Sequence, residues 1–248
     1  MAYNSTNPVF QPKFWNTIQG YDRMSYEGTI QKTGILFGLL TLSSLASIVV
    51  GFAYPTILSP LISIGGVCGF CLYLYLLFTR PENPQTLIMI YALFQGMVIG
   101  PLTLIFEEQY PGIALNAGFA TLGVIGSMLT IYSLRIIRPT PTFNKIFISL
   151  TLSIMLVYII DWLFLLLTPY DVPFLHSTDA GPIGILVSLF IIFVASMMMI
   201  SNFGMIESGV RMGAPKKQEW WGAFGILITV IWLYVEMLRL LAKLRNSR

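Results

Sequence analysis

Charged residues are scarce in this sequence, and their scarcity excludes a water-soluble protein. Only 10% of the 248 residues are charged, whereas 56% are hydrophobic. Soluble domains carry roughly 25% charged residues, and the mean hydropathy of +0.76 does not fit a hydrated surface. The net charge of +3 is spread over short segments, without a basic cluster. We therefore expect a lipid bilayer around the chain and no nucleic-acid partner.

Cysteine and histidine are also rare, which argues against a metal centre. Cys68 and Cys71 form a CxxC pattern inside an apolar run, and the single histidine, His176, lies in a predicted loop. A structural zinc site needs four ligands, so two isolated thiols do not supply one. We expect the cysteines to pack against neighbouring helices, and we expect no cofactor.

Long apolar runs are abundant, and each is long enough to cross the ~30 Å hydrocarbon core as a helix of about 20 residues. The runs are Gly34–Tyr54, Thr56–Phe78, Thr86–Phe106, Gly112–Leu134, Ile146–Thr168, Gly181–Met205 and Trp220–Leu241. Short segments rich in proline or charge separate them. The sequence therefore predicts an all-α, polytopic membrane protein with a cytoplasmic segment at 1–33, a seven-helix domain at 34–241 and a basic tail at 242–248.

The lysine and arginine distribution predicts the orientation. With a cytoplasmic N terminus, basic residues fall in the inner segments and none falls in the three outer loops, as the positive-inside rule requires. The inner residues are Lys13, Arg23, Lys32, Arg80, Arg135, Arg138, Lys145, Arg211, Lys216 and Lys217, and the outer acids are Glu107, Glu108, Asp171 and Asp179. The seventh helix departs from the rule, because a seventh crossing puts the basic C-terminal end on the outer side. The residues concerned are Arg239, Lys243, Arg245 and Arg248. It either spans the membrane or re-enters, and we favour a full span.

Small residues and turn residues predict how the helices pack. Glycines four residues apart allow close helix contact, and the sequence has the pairs Gly34/Gly38 and Gly96/Gly100, with Gly118, Gly123 and Gly126 in the fourth helix. Gly213-Ala214-Pro215 predicts a helix end followed by a helix start, which makes the sixth and seventh helices neighbours. Trp220 and Trp221, beside Lys216 and Lys217, fit an inner headgroup belt. Glu207 and Arg211 are expected to pair on a wet surface.

Two acids lie inside the predicted helices, where ionisable groups are rare and functional. Asp161 follows Ile146 by about 22 Å along a helix axis, so it is either a functional acid or an acid at a helix end. Glu236 has apolar and aromatic neighbours, and Arg239 follows three residues later on the same helix face. We expect a gating role for Glu236, with an ion pair at a helix end as the alternative.

An enzyme is not expected from this residue set. Intramembrane hydrolysis needs a nucleophile with a base, a metal ion or a pair of acids. The pair Glu107-Glu108 resembles the glutamates of CAAX-type proteases, but Gln109 follows it instead of a nearby arginine. Asp161 and Glu236 lack the Tyr-Asp and Gly-x-Gly-Asp settings of presenilin-type proteases.

Four segments resemble one membrane-protein family. They are the small-residue-rich third helix 91–101, the stretch 106–112, the run 213–220 and the pattern Trp232-Leu233-Tyr234-Val235-Glu236-Met237-Leu238-Arg239. Over residues 30–244 the sequence is similar to a bacterial branch of the Bax inhibitor-1 (transmembrane Bax inhibitor motif) family. The resemblance implies a seven-helix fold with the last helix near the centre, in the bacterial cytoplasmic membrane.

The resemblance also implies a function and a gate. Bacterial members are regarded as calcium-leak channels, and the wider family as regulators of cell death, calcium stores and membrane-protein quality control. The family's proposed gate pairs an acid of the sixth helix with one of the seventh. By position these fall on Asn202 and Glu236, and a third-helix acid falls on Gln95. Amides form hydrogen bonds but do not titrate, so the expected gate is a Glu236–Asn202 latch, with Asp161 as the alternative partner of Glu236.

Two functions from different classes remain open. The first is a cation pathway, with Ca2+ as the transported ion and Glu236 as a polar constriction. The second is a non-conducting regulator that binds another membrane protein or a membrane protease. An intramembrane hydrolase is a third interpretation.

Overall fold

The computed structural model describes residues 23–167 and 181–247. Within these residues seven helices are long and apolar enough to cross a membrane, which confirms the prediction of an all-α membrane bundle. They are α1 (Tyr26–Ala53), α2 (Leu58–Thr79), α3 (Gln85–Gln109), α4 (Ile113–Ser133), α5 (Pro141–Leu167), α6 (Pro182–Arg211) and α7 (Gln218–Asn246). The predicted loop residues Asp171, His176 and Asp179, like Lys13 and Arg248, lie outside the described residues.

Helix α1 begins at Tyr26 rather than at the predicted Gly34. The reason is local, since the side chain of Ser25 accepts a hydrogen bond from the backbone N–H of Gly28 at 3.0 Å and so caps the first turn. Residues 26–33, assigned above to an N-terminal segment, are therefore helical. Helix α6 ends just before Gly213, as the sequence predicted. Gly213 has a φ of 65°, in the left-handed region that glycine adopts readily.

Helix α7 occupies the centre of the bundle, as the resemblance implied. It packs against α1, α3, α4 and α6. Its side chains join both of the main apolar clusters, with Leu227 in the cluster towards α1 and α3 and Leu233 in the cluster towards α4 and α6. The last helix is therefore the element that connects the two halves of the core.

Helix α7 also crosses the whole bundle. Its 29 residues span about 43 Å at ~1.5 Å per residue. At its end, Asn246 accepts a hydrogen bond from the Tyr110 hydroxyl at 2.7 Å, and Arg245 donates to the Pro111 carbonyl at 2.8 Å. The end of α7 thus lies at the α3–α4 connection, opposite the α6–α7 connection. This favours the full span over re-entry, and residues 242–246 extend the helix instead of forming a tail.

Helix α5 is peripheral. Among the described residues its backbone lies close to that of α6 alone, and it reaches α7 only through side chains. None of residues 141–160 is buried. Its side chains therefore face lipid or the space between helices over most of its length.

The glycine pairs predicted from sequence differ in their surroundings. A Cβ at Gly96 would lie 2.6 Å from the carbonyl oxygen of Leu40, and one at Gly100 would lie 2.4 Å from that of Ser44. These two glycines thus let α3 approach α1 closely, as predicted. By contrast, a Cβ at either residue of the Gly34/Gly38 pair would meet nothing within 4 Å, and Gly118, Gly123 and Gly126 are equally open. Spacing alone does not reveal which glycines face a neighbour.

Candidate functional site

The polar centre of the bundle is built around Glu236 on α7. Its side chain is only 1% exposed, and it lies about 27 Å from the start of α7 and about 15 Å from its end. The Tyr158 hydroxyl of α5 donates a 2.6 Å hydrogen bond to its Oε1, and Arg239 donates to the same atom at 3.2 Å. The predicted Glu236–Arg239 pair is therefore present, and a tyrosine completes it.

Helix α5 contributes a second acid to this cluster. Asp161 is buried and attracts Arg239 electrostatically, while the guanidinium carbon of Arg239 lies 5.0 Å from the centre of the Tyr158 ring. Asp161 is thus joined to Glu236 through a shared arginine. We call Tyr158, Asp161, Glu236 and Arg239 the α5–α7 cluster.

Asn202 lies elsewhere. Its side-chain amide donates to the Gly225 carbonyl at 3.0 Å and to the Thr229 hydroxyl at 2.8 Å. Both partners are on α7, but Thr229 precedes Glu236 by seven residues, about 10 Å along the axis. The expected Glu236–Asn202 latch is not formed in this structure, because the antiparallel packing of α6 on α7 sets Asn202 nearer the α6–α7 connection.

A cavity of about 410 Å³ borders the α5–α7 cluster. It lies between α2, α3, α5 and α7, and its walls include Tyr73, Tyr91, Gln95, Trp232 and Glu236. The predicted site residue Gln95 thus faces the same space as Glu236 and Arg239. Since the described part of α5 does not pack against α2, the cavity opens sideways between these helices.

Comparison with known proteins places the chain in a family. A family model described as Bax inhibitor 1 like matches residues 7–246. The chain belongs to this Bax inhibitor 1 like family. A search of curated proteins finds no match.

This Bax inhibitor 1 like chain has a second buried acid on α7, which the sequence analysis did not single out. Glu219 is 0% exposed. One oxygen accepts hydrogen bonds from the Ser25 backbone N–H at 2.9 Å and the Ser25 hydroxyl at 3.0 Å, and the other binds the Lys32 ammonium. Lys32 also lies 5.5 Å from the centre of the Trp220 ring. This clamp joins the start of α1 to the start of α7.

A buried lysine lies near the far end of the same helix of this Bax inhibitor 1 like protein. Lys243 is 1% exposed, and its ammonium donates to the Gly184 carbonyl and the Ser188 hydroxyl, both at 3.1 Å. The sequence placed Lys243 in a tail, because the apolar run ends just before it. Lys243 follows Arg239 by four residues, and residues at that spacing share a helix face. This spacing could have indicated that Lys243 continues the helix on the same face as Arg239.

The predicted Glu207–Arg211 ion pair is present, and the Tyr132 hydroxyl donates to Glu207. The Arg211 side chain is 64% exposed. In this Bax inhibitor 1 like chain the pair lies at the end of α6 near the α6–α7 connection, apart from the cavity. The pair lies on the surface, as expected.

Proposed function

We propose that this protein is a regulated cation-leak pathway, with Ca2+ as the transported ion and Glu236 at its constriction. The observation that carries the proposal is an almost fully buried glutamate that borders a cavity on the central membrane helix. An acid at this depth is unfavourable without partners and marks a path for ions in membrane proteins. The family resemblance supports the same ion.

The arrangement in this structure corresponds to a closed pathway. Arg239 contacts Oε1 of the Glu236 carboxylate and offsets part of its charge. A cation passes Glu236 to cross the bundle only after the arginine has moved, because like charges at close range repel strongly in a low-dielectric interior. Opening therefore requires a rearrangement of the α5–α7 cluster.

We infer that α5, rather than α6, is the moving element. Tyr158 links α5 to Glu236, whereas few packing contacts hold α5, since none of residues 141–160 is buried. Displacing α5 breaks a small number of polar contacts and little apolar packing. The gate expected between α6 and α7 is thus proposed here between α5 and α7.

The membrane and orientation belong to the same proposal. We propose the bacterial cytoplasmic membrane and a cytoplasmic N terminus, on the strength of the positive-inside pattern. In that orientation the Lys32–Glu219 clamp lies at the inner side, and the α5–α7 cluster lies nearer the outer side. We also propose that the protein has no enzymatic activity.

A non-conducting regulator is the second candidate, and the exposure of α5 favours it. A helix with no buried residue over 141–160 leaves a broad face that a helix of another membrane protein can contact in place of lipid. In this case the α5–α7 cluster would hold α5 in position for a partner and would conduct nothing.

Calcium flux separates the two candidates. Purified protein in liposomes should admit Ca2+ faster than empty liposomes do, and Glu236→Gln should change the flux or its pH dependence by removing a charge from the constriction. Glu207→Gln is the matched control, because it makes the same change at a surface pair. Equal flux in wild type, Glu236→Gln and empty liposomes would refute the pathway.

An acid introduced at position 202 of α6 tests whether the gate lies between α6 and α7. We expect Asn202→Asp to create no new pH response in the flux, because Asn202 contacts Gly225 and Thr229 instead of Glu236. The substitution should destabilise the protein by about 1–3 kcal/mol, because the buried carboxylate faces the Gly225 carbonyl and the donor of Asn202 is lost. A new pH response in this variant would return the gate to α6 and α7.

A further inference from the structure

The cavity beside the α5–α7 cluster has the features of a ligand site. Its volume of about 410 Å³ falls within the range of roughly 300–1,000 Å³ found for small-molecule sites. Most of its wall is apolar, and it opens sideways between α2 and α5. A Cβ at Gly66, on its wall, would meet nothing within 4 Å. A molecule dissolved in the membrane therefore has both an entrance and room.

Two acceptors at this cavity are not used in the described part of the chain. Both hydrogen bonds to Glu236 end on Oε1, and Oε2 accepts none there. The Thr151 hydroxyl, on the same wall, is buried without a hydrogen-bond partner among the described residues. Buried polar groups normally find partners, so the Thr151 hydroxyl indicates a missing polar contact. Oε2 of Glu236 carries no hydrogen bond among the described residues and is left to attract the charge of a ligand.

Aromatic rings surround the same space. Phe70, Tyr73, Tyr91, Tyr158 and Trp232 all line the cavity. Trp232 precedes Glu236 by four residues and so lies on the same helix face. Ring faces attract cations, and the attraction is strongest where water is excluded.

We propose that this cavity is a binding site for a lipophilic organic cation, held by the Glu236 carboxylate and the surrounding aromatic rings. The apolar walls take the hydrophobic body of the ligand, and the glutamate takes its charge. This function goes beyond ion leak and does not depend on it, because the ligand enters from the membrane and binds with no net transport.

The charges favour a cation over an anion. The guanidinium of Arg239 already contacts Glu236 and attracts Asp161, so an anion approaching Arg239 meets two carboxylates. Lys243 is held by α6 groups and does not line the cavity. Among the described residues, Glu236 supplies the carboxylate of the cavity wall, and Arg239, which is paired with it, lies on the same wall.

Tetraphenylphosphonium and tetraphenylborate provide a matched pair of probes, with similar shape and opposite charge. Equilibrium dialysis of each probe against purified wild-type protein in detergent, with protein-free micelles subtracted, measures binding. Tetraphenylphosphonium should bind saturably at about one site per chain, the single-site expectation for such cavities. Tetraphenylborate should neither bind saturably nor compete.

Two variants test the site independently. Glu236→Gln should weaken tetraphenylphosphonium binding by about tenfold or more, since the negative charge that attracts the cation is lost. Gly66→Leu should weaken tetraphenylphosphonium binding similarly, because the larger side chain fills the cavity and leaves the charges intact. If Glu236→Gln does not fold, Gly66→Leu provides the test. Glu207→Gln, which makes the same chemical change outside the cavity, should bind as wild type does.

Wild-type affinity in a folded Glu236→Gln or Gly66→Leu variant would overturn the proposal, and so would competition by tetraphenylborate. The calcium experiment has a separate readout. Binding without calcium flux supports the cation site and refutes the leak, whereas flux without binding does the reverse.

Discussion

The two buried glutamates of α7 teach how to separate a structural acid from a functional one. Glu219 and Glu236 are 0% and 1% exposed. Both oxygens of Glu219 have partners, in Ser25 and Lys32. Glu236 has both of its hydrogen bonds on one oxygen and borders a cavity. The two side chains are equally buried, so burial does not distinguish them. What distinguishes Glu236 is the cavity beside it and its Oε2, which carries no hydrogen bond among the described residues.

The difference extends to the backbone around each acid. A Cβ on Gly28 would lie 2.4 Å from the Glu219 carboxylate oxygens, so α1 and α7 are in close contact at the clamp. Around Glu236, α5 approaches through the Tyr158 side chain, and the neighbouring wall at Gly66 is open. One site is filled and holds two helices together, whereas the other retains space in which groups can move.

The largest expected effect is a loss of stability at the clamp. Glu219→Gln should lower the free energy of unfolding by about 3 kcal/mol, because it leaves the half-buried Lys32 without its charge partner. Glu236→Gln should lower it by about 1 kcal/mol, because the amide oxygen still accepts from Tyr158 and Arg239 keeps Asp161 as a charge partner. Unfolding of both variants in mixed micelles measures the difference, and equal losses would remove the distinction between the sites.

A smaller effect is expected from a methyl group added to each wall. Gly28→Ala should destabilise the protein by about 1–3 kcal/mol, because the new Cβ displaces the Glu219 carboxylate from its donors. Gly66→Ala should be neutral or slightly stabilising, since its Cβ meets nothing and alanine favours helix. The same unfolding assay compares the pair. Similar stability of the two variants would show that the Glu219 carboxylate can shift without losing its hydrogen bonds.

The smallest effect in energy is expected at the gate. Tyr158→Phe removes one hydrogen bond to Glu236, worth about 0.5–1.5 kcal/mol, and retains the ring. If this bond holds the closed state, calcium leak should rise by roughly two- to tenfold. Tyr132→Phe is the control, because Tyr132 donates to Glu207 at the surface pair. An unchanged leak in Tyr158→Phe would place the gate elsewhere.

Sequence reasoning predicted the helices well because the bilayer imposes a simple length and hydropathy rule. It also predicted the Glu236–Arg239 pair, since residues three apart on a helix share a face whatever the tertiary structure. The boundaries were less accurate. Helix α1 begins earlier because of the Ser25 cap, and α7 runs on to Asn246 because its end packs against the α3–α4 connection.

Contacts between helices were predicted poorly, because they depend on the rotation and register of each helix. The sequence offered Asn202 as a partner of Glu236, whereas packing sets Asn202 against Thr229 and sets Tyr158 against Glu236. Glu219 was missed for a similar reason. It lies next to Trp220 and Lys217 in a segment that resembles a headgroup belt, and only the tertiary structure brings Ser25 and Lys32 over it.

The central position of α7 has a consequence for biosynthesis. A chain is made from its N terminus, and α7 follows in sequence every helix that it packs against. While α7 is still in the ribosome, α1, α3, α4 and α6 have their shared surface unfilled, so lipid, a chaperone or a wrong helix has access to it. Membrane insertion and folding are therefore separated in time, and the arrival of the seventh helix is the event that completes the bundle.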